Sequence, residues 1–379
     1  MDCGRTIRSH PTTVFALCFT RSAKGIRSMN TEATPSKGGS FSVRNVLIAL
    51  ALPVLLILGI AGYYYYTAEP ENTGRIDYQI GLADREDART LGDRTKLADA
   101  FVDANADLLA DVPSDPMKLV SPEKLIFSGI GGPDAIARQD SFKPLIEHLS
   151  KVIGKPVEFE AIGDARQQVE KLRDGKLHIS LFNTGQVPTA VNLAGFIPYC
   201  AAGNAEGNYR HEMVLIAPAG TSIDSPAKIK GQRLAVTTIT SNSGYKMPIV
   251  VLRDQFQLLA GKDYDIVISG SHDLTMEGIK KKLYPVGAVA SDLLDRALND
   301  EKLAKSDYIE VYRSKESLPS ASWGYAYNLD PKLADKVREA FDTFVPAGKA
   351  GKFVKVDYKT DWETVRKIDL EILNWSKTK

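Results

Sequence analysis

From Val46 to Tyr66 the chain reads VLIALALPVLLILGIAGYYYY without one charge, and no other segment restricts its possibilities so sharply. At about 1.5 Å per residue such a helix is about 30 Å long, enough to cross the apolar layer of a bilayer. Arg21, Lys24, Arg27, Lys37 and Arg44 precede it, whereas Glu69 and Glu71 follow. The positive-inside rule therefore puts the bulk of the chain on the extracytoplasmic side, with the tyrosines forming an interfacial belt. A cut after Ala61 would have Gly59 at the minus-three position, but the apolar run continues past it. An uncleaved membrane anchor is the expectation. No cysteine lies in or just after the run, so lipid attachment through an N-terminal cysteine has no residue to use. Met29 is an alternative start, because residues 1–28 carry no structural pattern.

Composition then narrows the chemistry. The 379 residues are 44% hydrophobic and 25% charged, a globular balance with room for two to three domains. Lys plus Arg (48) nearly equals Asp plus Glu (47), so no broad positive field exists for nucleic acid. Cys3, Cys18 and Cys200 form no C-x-x-C pair, and Cys200 alone follows the membrane segment, which excludes an intramolecular disulfide there. His10, His148, His178, His211 and His272 show no metal-ligand spacing. A site built of hydroxyl, amide and backbone groups, helped by an imidazole and needing no metal or cofactor, is expected.

Residues 1–45 read as a cytoplasmic tail, 46–66 as the anchor and 67–123 as a polar stalk containing a short helix over 93–109. Within that stalk Asp103, Asn105 and Asp107 imitate the start of a calcium loop. Leu108 stands where glycine is needed and Ser114 where glutamate is needed, so a solvated acidic helix face is the better reading. From Lys124 short apolar runs alternate with amphipathic stretches, the pattern of an open, mainly parallel α/β sheet. Runs at 125–127, 157–162 and 177–182 with intervening helices make one βαβαβ unit. Ser141 is a candidate N-cap and Gly154 a stop for the first helix. Strands at 233–236, 264–268 and 286–290 repeat the unit after 213–216, and 323–327 adds a further strand. The expectation is two lobes, 124–216 with a return at 314–379 and 217–313, joined by crossings near 214–220 and 313–323 around a hinged cleft. Trp323 at the return reads as core rather than cleft lining.

In such sheets ligands sit beyond the carboxyl ends of the strands, at helix N-termini. After strand 233–236 comes Thr237-Thr238-Ile239-Thr240-Ser241-Asn242-Ser243-Gly244, in which Ser241, Asn242 and Ser243 could cap the next helix or donate to an oxyanion. Capping needs only one such residue, which favours anion binding. Strand 264–268 ends in Ser269-Gly270-Ser271-His272, strand 177–182 in Phe182-Asn183-Thr184-Gly185, and strand 125–127 in Ser128-Gly129-Ile130-Gly131-Gly132. The last has no G-K-[ST] ending and no acid placed for a ribose, so no nucleotide motif is present.

Taken together, LIFSGIGGPDAIARQDSFKPLIEHLSKVIGKPVEFEAI, ISLFNTGQVPTAV, TSNSGYKMPIVVLRD and SGSHDLTMEGIKKKLYPVGAVASDLLDRAL resemble the substrate-binding proteins of phosphate, phosphite and phosphonate ABC transporters. The resemblance covers about Lys124 to Phe353 and implies a type II periplasmic binding-protein fold. In that family a Ser-Thr-Ser-Gly run grips the phosphonate oxygens, and Ser241-Asn242-Ser243-Gly244 matches it with asparagine for threonine. His272 matches a histidine that contacts the oxyanion. Phe182 stands where amino-phosphonate binders carry tyrosine, and is followed by Asn183 and Thr184. Ala165 and Ala321 stand where those binders hold an amine with a tyrosine and an aspartate. Asp292 corresponds to another acid of that pocket or is an N-cap.

The resemblance thus implies a ligand site of Ser128, Phe182, Asn183, Thr184, Ser241, Asn242, Ser243, Gly244 and His272. It implies capture of phosphate, phosphite or a simple phosphonate, delivery to an ABC permease and no catalysis. An extracytoplasmic oxyanion sensor subunit docking to a signalling partner is an alternative on the same fold. An enzyme with Ser243 as nucleophile and His272 as base is the weaker rival, since no G-x-S-x-G elbow exists.

Overall fold

The computed structural model describes residues 95–132, 135–345 and 351–377, with side chains through 374. The chain divides into compact units at 1–68 and 69–379, and the described residues belong to the second. The expected tail, the anchor at 46–66 and the connector as far as residue 94 lie outside the described residues. Among those described, no helix is long and apolar enough to cross a membrane.

Among the described residues the strands are, in chain order, β1 (Leu125–Ser128), β2 (Val157–Phe159), β3 (Ile179–Phe182), β4 (Phe196–Ala202), β5 (Arg210–Pro218), β6 (Arg233–Val236), β7 (Asp265–Ile268), β8 (Val286–Ala290), β9 (Tyr308–Pro319), β10 (Ser322–Ala326) and β11 (Phe353–Lys355). They form two sheets, ordered β11-β4-β10-β3-β1-β2 and β7-β6-β8-β5-β9. Each has a parallel trio, β2-β1-β3 in one and β7-β6-β8 in the other, flanked by antiparallel strands. The middle strands are continuous apolar runs because helices cover both faces; β8, VGAVA, is buried throughout.

The longer helices are α1 (Gln139–Ile153), α2 (Ala165–Arg173), α3 (Val187–Ala194), α4 (Met247–Phe256), α5 (His272–Lys280), α6 (Ser291–Asn299), α7 (Pro331–Thr343) and α8 (Glu363–Lys377). Helix α1 buries Leu145, Leu149 and Ile153, one face at four-residue spacing, and stops at Gly154, whose φ of 76° is the left-handed cap that glycine adopts without strain. Its N-cap is Arg138 rather than Ser141, whose hydroxyl instead donates to the Arg138 carbonyl at 2.6 Å. The first lobe's core is aromatic. Trp323 stacks on Phe127 with centroids 5.8 Å apart, and Phe142, Phe341 and Phe353 surround it, so Trp323 is a core residue.

Two sequence expectations move. Strand β5 contains residues 213–216 but pairs with β8 and β9 in the second sheet, so the first crossing precedes Arg210 instead of falling near 214–220. Strand β9 likewise keeps residues up to Pro319 in the second lobe. The connection between the lobes is therefore a two-stranded ribbon: β5 and β9 are paired from Pro218↔Tyr308 to Arg210↔Pro319, and Ser320 N–H continues the ladder to the Tyr209 carbonyl at 2.8 Å. An apolar run alone could not assign β5, because either sheet would bury it.

The second change concerns the connector. Residues 95–109 form no helix, and their acidic side chains accept local backbone bonds instead. Asp103 takes the N–H groups of Asp107 and Leu108, Asp107 that of Leu109, and Asp111 that of Ala104. Such bonds compete with the helix. The stretch is also attached to the first lobe: Phe101 packs edge-on to Tyr327 at 4.9 Å, and Val120 bridges to Leu329. Its described part is a strap on the lobe, not a free stalk.

Candidate functional site

The first lobe's strand ends are occupied by protein–protein bonds. Buried Gln168 of α2 donates to the Gly129 carbonyl at 2.8 Å, to Ser180 Oγ at 2.7 Å and to the Leu181 carbonyl, and accepts the Gly131 N–H at 2.8 Å. The glycine loop after β1 is thus held by one amide. Ser128 Oγ donates to the Gly129 carbonyl at 3.1 Å. Thr184 Oγ donates to the Pro319 carbonyl at 2.7 Å, while the Thr184 carbonyl accepts from the buried indole of Trp362 at 3.0 Å. Phe182 is fully buried, edge-on to Phe196 at 4.8 Å. Of the first-lobe residues expected to hold ligand, Ser128, Phe182 and Thr184 are therefore engaged in the lobe itself. Ser128 and Phe182 end buried strands and Thr184 follows one; the two hydroxyls are satisfied within the lobe and the ring by core packing.

Asn183 is the exception. Its Oδ1 accepts the Gln186 N–H at 3.0 Å, and its Nδ2 reaches Thr240 of the second lobe at 3.0 Å. Next to it, Gly185 abuts the second lobe so closely that an added Cβ would lie 2.2 Å from the Thr240 carbonyl oxygen and 3.2 Å from the Asn242 nitrogen. Lys246 completes this contact, donating to the Gly185 carbonyl at 2.9 Å and to Asp369 of α8 at 2.6 Å. Helix α8, expected to pack back on the first lobe, instead lies against the second through Asp369 and through Glu371 with Arg253 at 2.8 Å.

In the second lobe the loop after β6 enters a wide π turn, Asn242–Lys246, before α4. Ser241 is its N-cap, accepting the Gly244 N–H at 3.1 Å. His272 Nε2 is 3.5 Å from the same Oγ. With its lone pairs directed at those two groups, the Ser241 hydroxyl retains its proton for a third partner. Gly244 is required here because a Cβ would lie 2.2 Å from Thr237 Oγ. Asn242 is buried, and neither its Oδ1 nor its Nδ2 has a hydrogen-bond partner. A buried amide without partners costs about 1–3 kcal/mol per orphaned group, so it marks a place meant to be satisfied by something else.

His272 opens α5, and its Nδ1 accepts the Ala290 N–H at 3.1 Å. That bond fixes the neutral tautomer with the proton on Nε2, on the Ser241 side. Burial pushes the His272 imidazole down to about 3, helped by nearby His211 and Arg296. Asp292, exposed in the first turn of α6, is not the N-cap; Ala290 is, without a side-chain bond.

His211 of β5 was singled out by no motif, yet its Nε2 lies 3.2 Å from Ser243 Oγ, and both residues are buried. The available signal was its position, a polar residue in step with inward-facing Met213 and Leu215. Ser243 therefore pairs with His211 rather than His272. The pair is no catalytic triad, because His211 Nδ1 has no orienting partner. Ser241, Asn242, Ser243, Gly244 and His272 lie together in the second lobe, joined by His211 and faced by Asn183.

A family model described as the periplasmic substrate-binding protein of phosphonate ABC transporters matches residues 134–368. The binding-protein component of a phosphonate ABC transporter from Pseudomonas aeruginosa is similar in structure, with a TM-score of 0.58 and 18% identity over 68% of this chain and 89% of that one. A chloride-bound protein from Xanthomonas citri gives 0.56 at 18% identity, over 68% of this chain and 98% of that one. PhnD1 from Prochlorococcus marinus in complex with methylphosphonate gives 0.55 at 15% identity, over 67% and 100%. At such identities these structures establish the two-lobed type II periplasmic binding-protein fold, while the family match spans more than half of the chain. The chain belongs to the periplasmic substrate-binding proteins of phosphonate ABC transporters, a family of transporter components rather than enzymes.

Proposed function

We propose that this chain captures phosphate, phosphite or a simple phosphonate between its lobes and delivers it to a membrane permease. The observation that carries this reading is the buried Asn242 amide without protein partners, set between Ser241 and Ser243 at a helix entrance. Hydroxyl, amide and imidazole donors converge there, and fixed dipoles of this kind are suited to the oxygens of a tetrahedral oxyanion. Asn183, Gly185 and Lys246 meet across the lobes beside it, the contact expected of a closed form. Ala165 and Ala321 offer no charge for an ammonium group, which favours ligands without an amine.

Residues 46–66 serve in this reading as an uncleaved anchor, with 1–45 on the cytoplasmic side and the lobes outside. Tethering raises the effective concentration of the lobes at the permease. A thermal-shift panel on the full chain tests the ligand: phosphate, phosphite and methylphosphonate raise the midpoint, whereas 2-aminoethylphosphonate, sulfate and an amino acid leave it unchanged. Ligand at about 100 times its dissociation constant adds about 2.7 kcal/mol, a readily visible shift. A shift with the amino acid alone overturns the reading.

A further inference from the structure

We propose that His211 carries a proton for the anion site, so that the oxyanion enters the closed cleft together with one proton taken from solvent and held on this imidazole. The inference rests on the oxyanion reading above and deepens it. The two imidazoles of the site differ in what their nitrogens do. His272 Nδ1 accepts the Ala290 N–H at 3.1 Å, so a second proton there would break a backbone bond. His211 Nε2 faces Ser243 Oγ at 3.2 Å and its Nδ1 has no partner, so it takes a second proton without losing any bond.

Charge makes that proton necessary. The groups gathered at the turn are neutral, and the one cation in it, Lys246, is already paired with Asp369 at 2.6 Å. A doubly charged phosphorus oxyanion buried among neutral donors lacks compensation, which is costly in a dry site. The groups facing His211 are Glu212 and Arg210 on its own strand, Asp292 of α6 and His272 of α5. Glu212 is bonded to Arg313 at 3.2 Å and Arg210 to Asp361 at 3.4 Å. Burial holds the imidazole below its ordinary value, against the pull of Asp292 and Glu212, so it is neutral until a negative charge arrives. With both nitrogens protonated, Nε2 must donate to Ser243 Oγ, which leaves the serine proton for the ligand.

The test is calorimetry of the full chain with methylphosphonate, phosphate and phosphite at mildly alkaline pH, in buffers of different ionisation enthalpy. The dependence of the heat on the buffer counts protons. Uptake of roughly one proton per anion is expected, falling to near zero in His211→Gln with about a tenfold loss of affinity. Binding by the wild type without uptake overturns the inference and leaves the oxyanion reading intact, a result that needs no variant to fold. Undiminished uptake in His211→Gln, or in His211→Asn if the glutamine variant is unfolded, overturns it too. Absence of binding by all three anions overturns both.

Discussion

The two lobes repeat one architecture, a parallel trio of strands with helices starting at its carboxyl ends, yet they treat the polar groups there in opposite ways. In the first, Gln168 closes the glycine loop, Thr184 is bonded to Pro319 and Ser128 to its neighbour's carbonyl. In the second, Ser241 retains a free proton and Asn242 is buried without partners. Helix N-termini alone therefore do not make an anion site. In the proposed reading the loop with unspent donors does, and the other loop supplies the wall against it.

Gly185→Ala breaks the comparison most severely. A Cβ 2.2 Å from the Thr240 carbonyl holds the lobes apart without disturbing either core. Overpacking of this kind costs about 3 kcal/mol, so oxyanion affinity by calorimetry is expected to fall roughly a hundredfold. Unchanged affinity would show that closure at this point is not part of binding.

Acid is expected to weaken both lobes. His178 in the first accepts the Ile126 N–H on Nδ1 and is held below its ordinary value by burial, as is His272 in the second. Folded values below the unfolded one mean that the unfolded chain takes up protons first. The histidine contribution is then complete above about pH 6.5 and is lost as pH falls below it, down to about 3 for His272, by up to about 1.4 kcal/mol per pH unit and histidine. Urea midpoints across this range should decline, more gently in His272→Gln. A flat profile contradicts the burial of His272 as a neutral imidazole.

Asn242→Leu separates fold from function. Removing an unpartnered buried amide for a side chain of similar size should stabilise the unliganded protein by about 1 kcal/mol while abolishing the oxyanion-induced thermal shift. Loss of stability instead would mean that the amide is satisfied within the protein.

Much of this was legible in the sequence. The strands at 125–127, 233–236 and 286–290, the glycine stop at 154 and the Ser241–Gly244 turn follow from period, punctuation and the crowding of short polar residues before a helix. What stayed hidden depends on partners distant in the chain. Strand β5 looks the same in either sheet, and Asp103, Asn105 and Asp107 fit a helix face until their side-chain oxygens are seen accepting backbone N–H groups. Phe182 and Thr184 sit at the right strand end, but core packing and the Pro319 carbonyl claim them. His211 lies in a strand some thirty residues before Ser243, and only the folded sheet joins them.

The smallest effect is the control for the whole comparison. Thr184→Val loses a buried hydroxyl and about 1 kcal/mol of stability, but changes oxyanion affinity less than about twofold. The decisive measurement sets it beside Ser243→Ala in one calorimetric series with the phosphorus oxyanion that shifts the wild type. A loss of about 1–3 kcal/mol in binding is expected for Ser243→Ala and almost none for Thr184→Val. Equal losses, or a loss confined to Thr184→Val, would contradict the assignment of the anion to the second lobe.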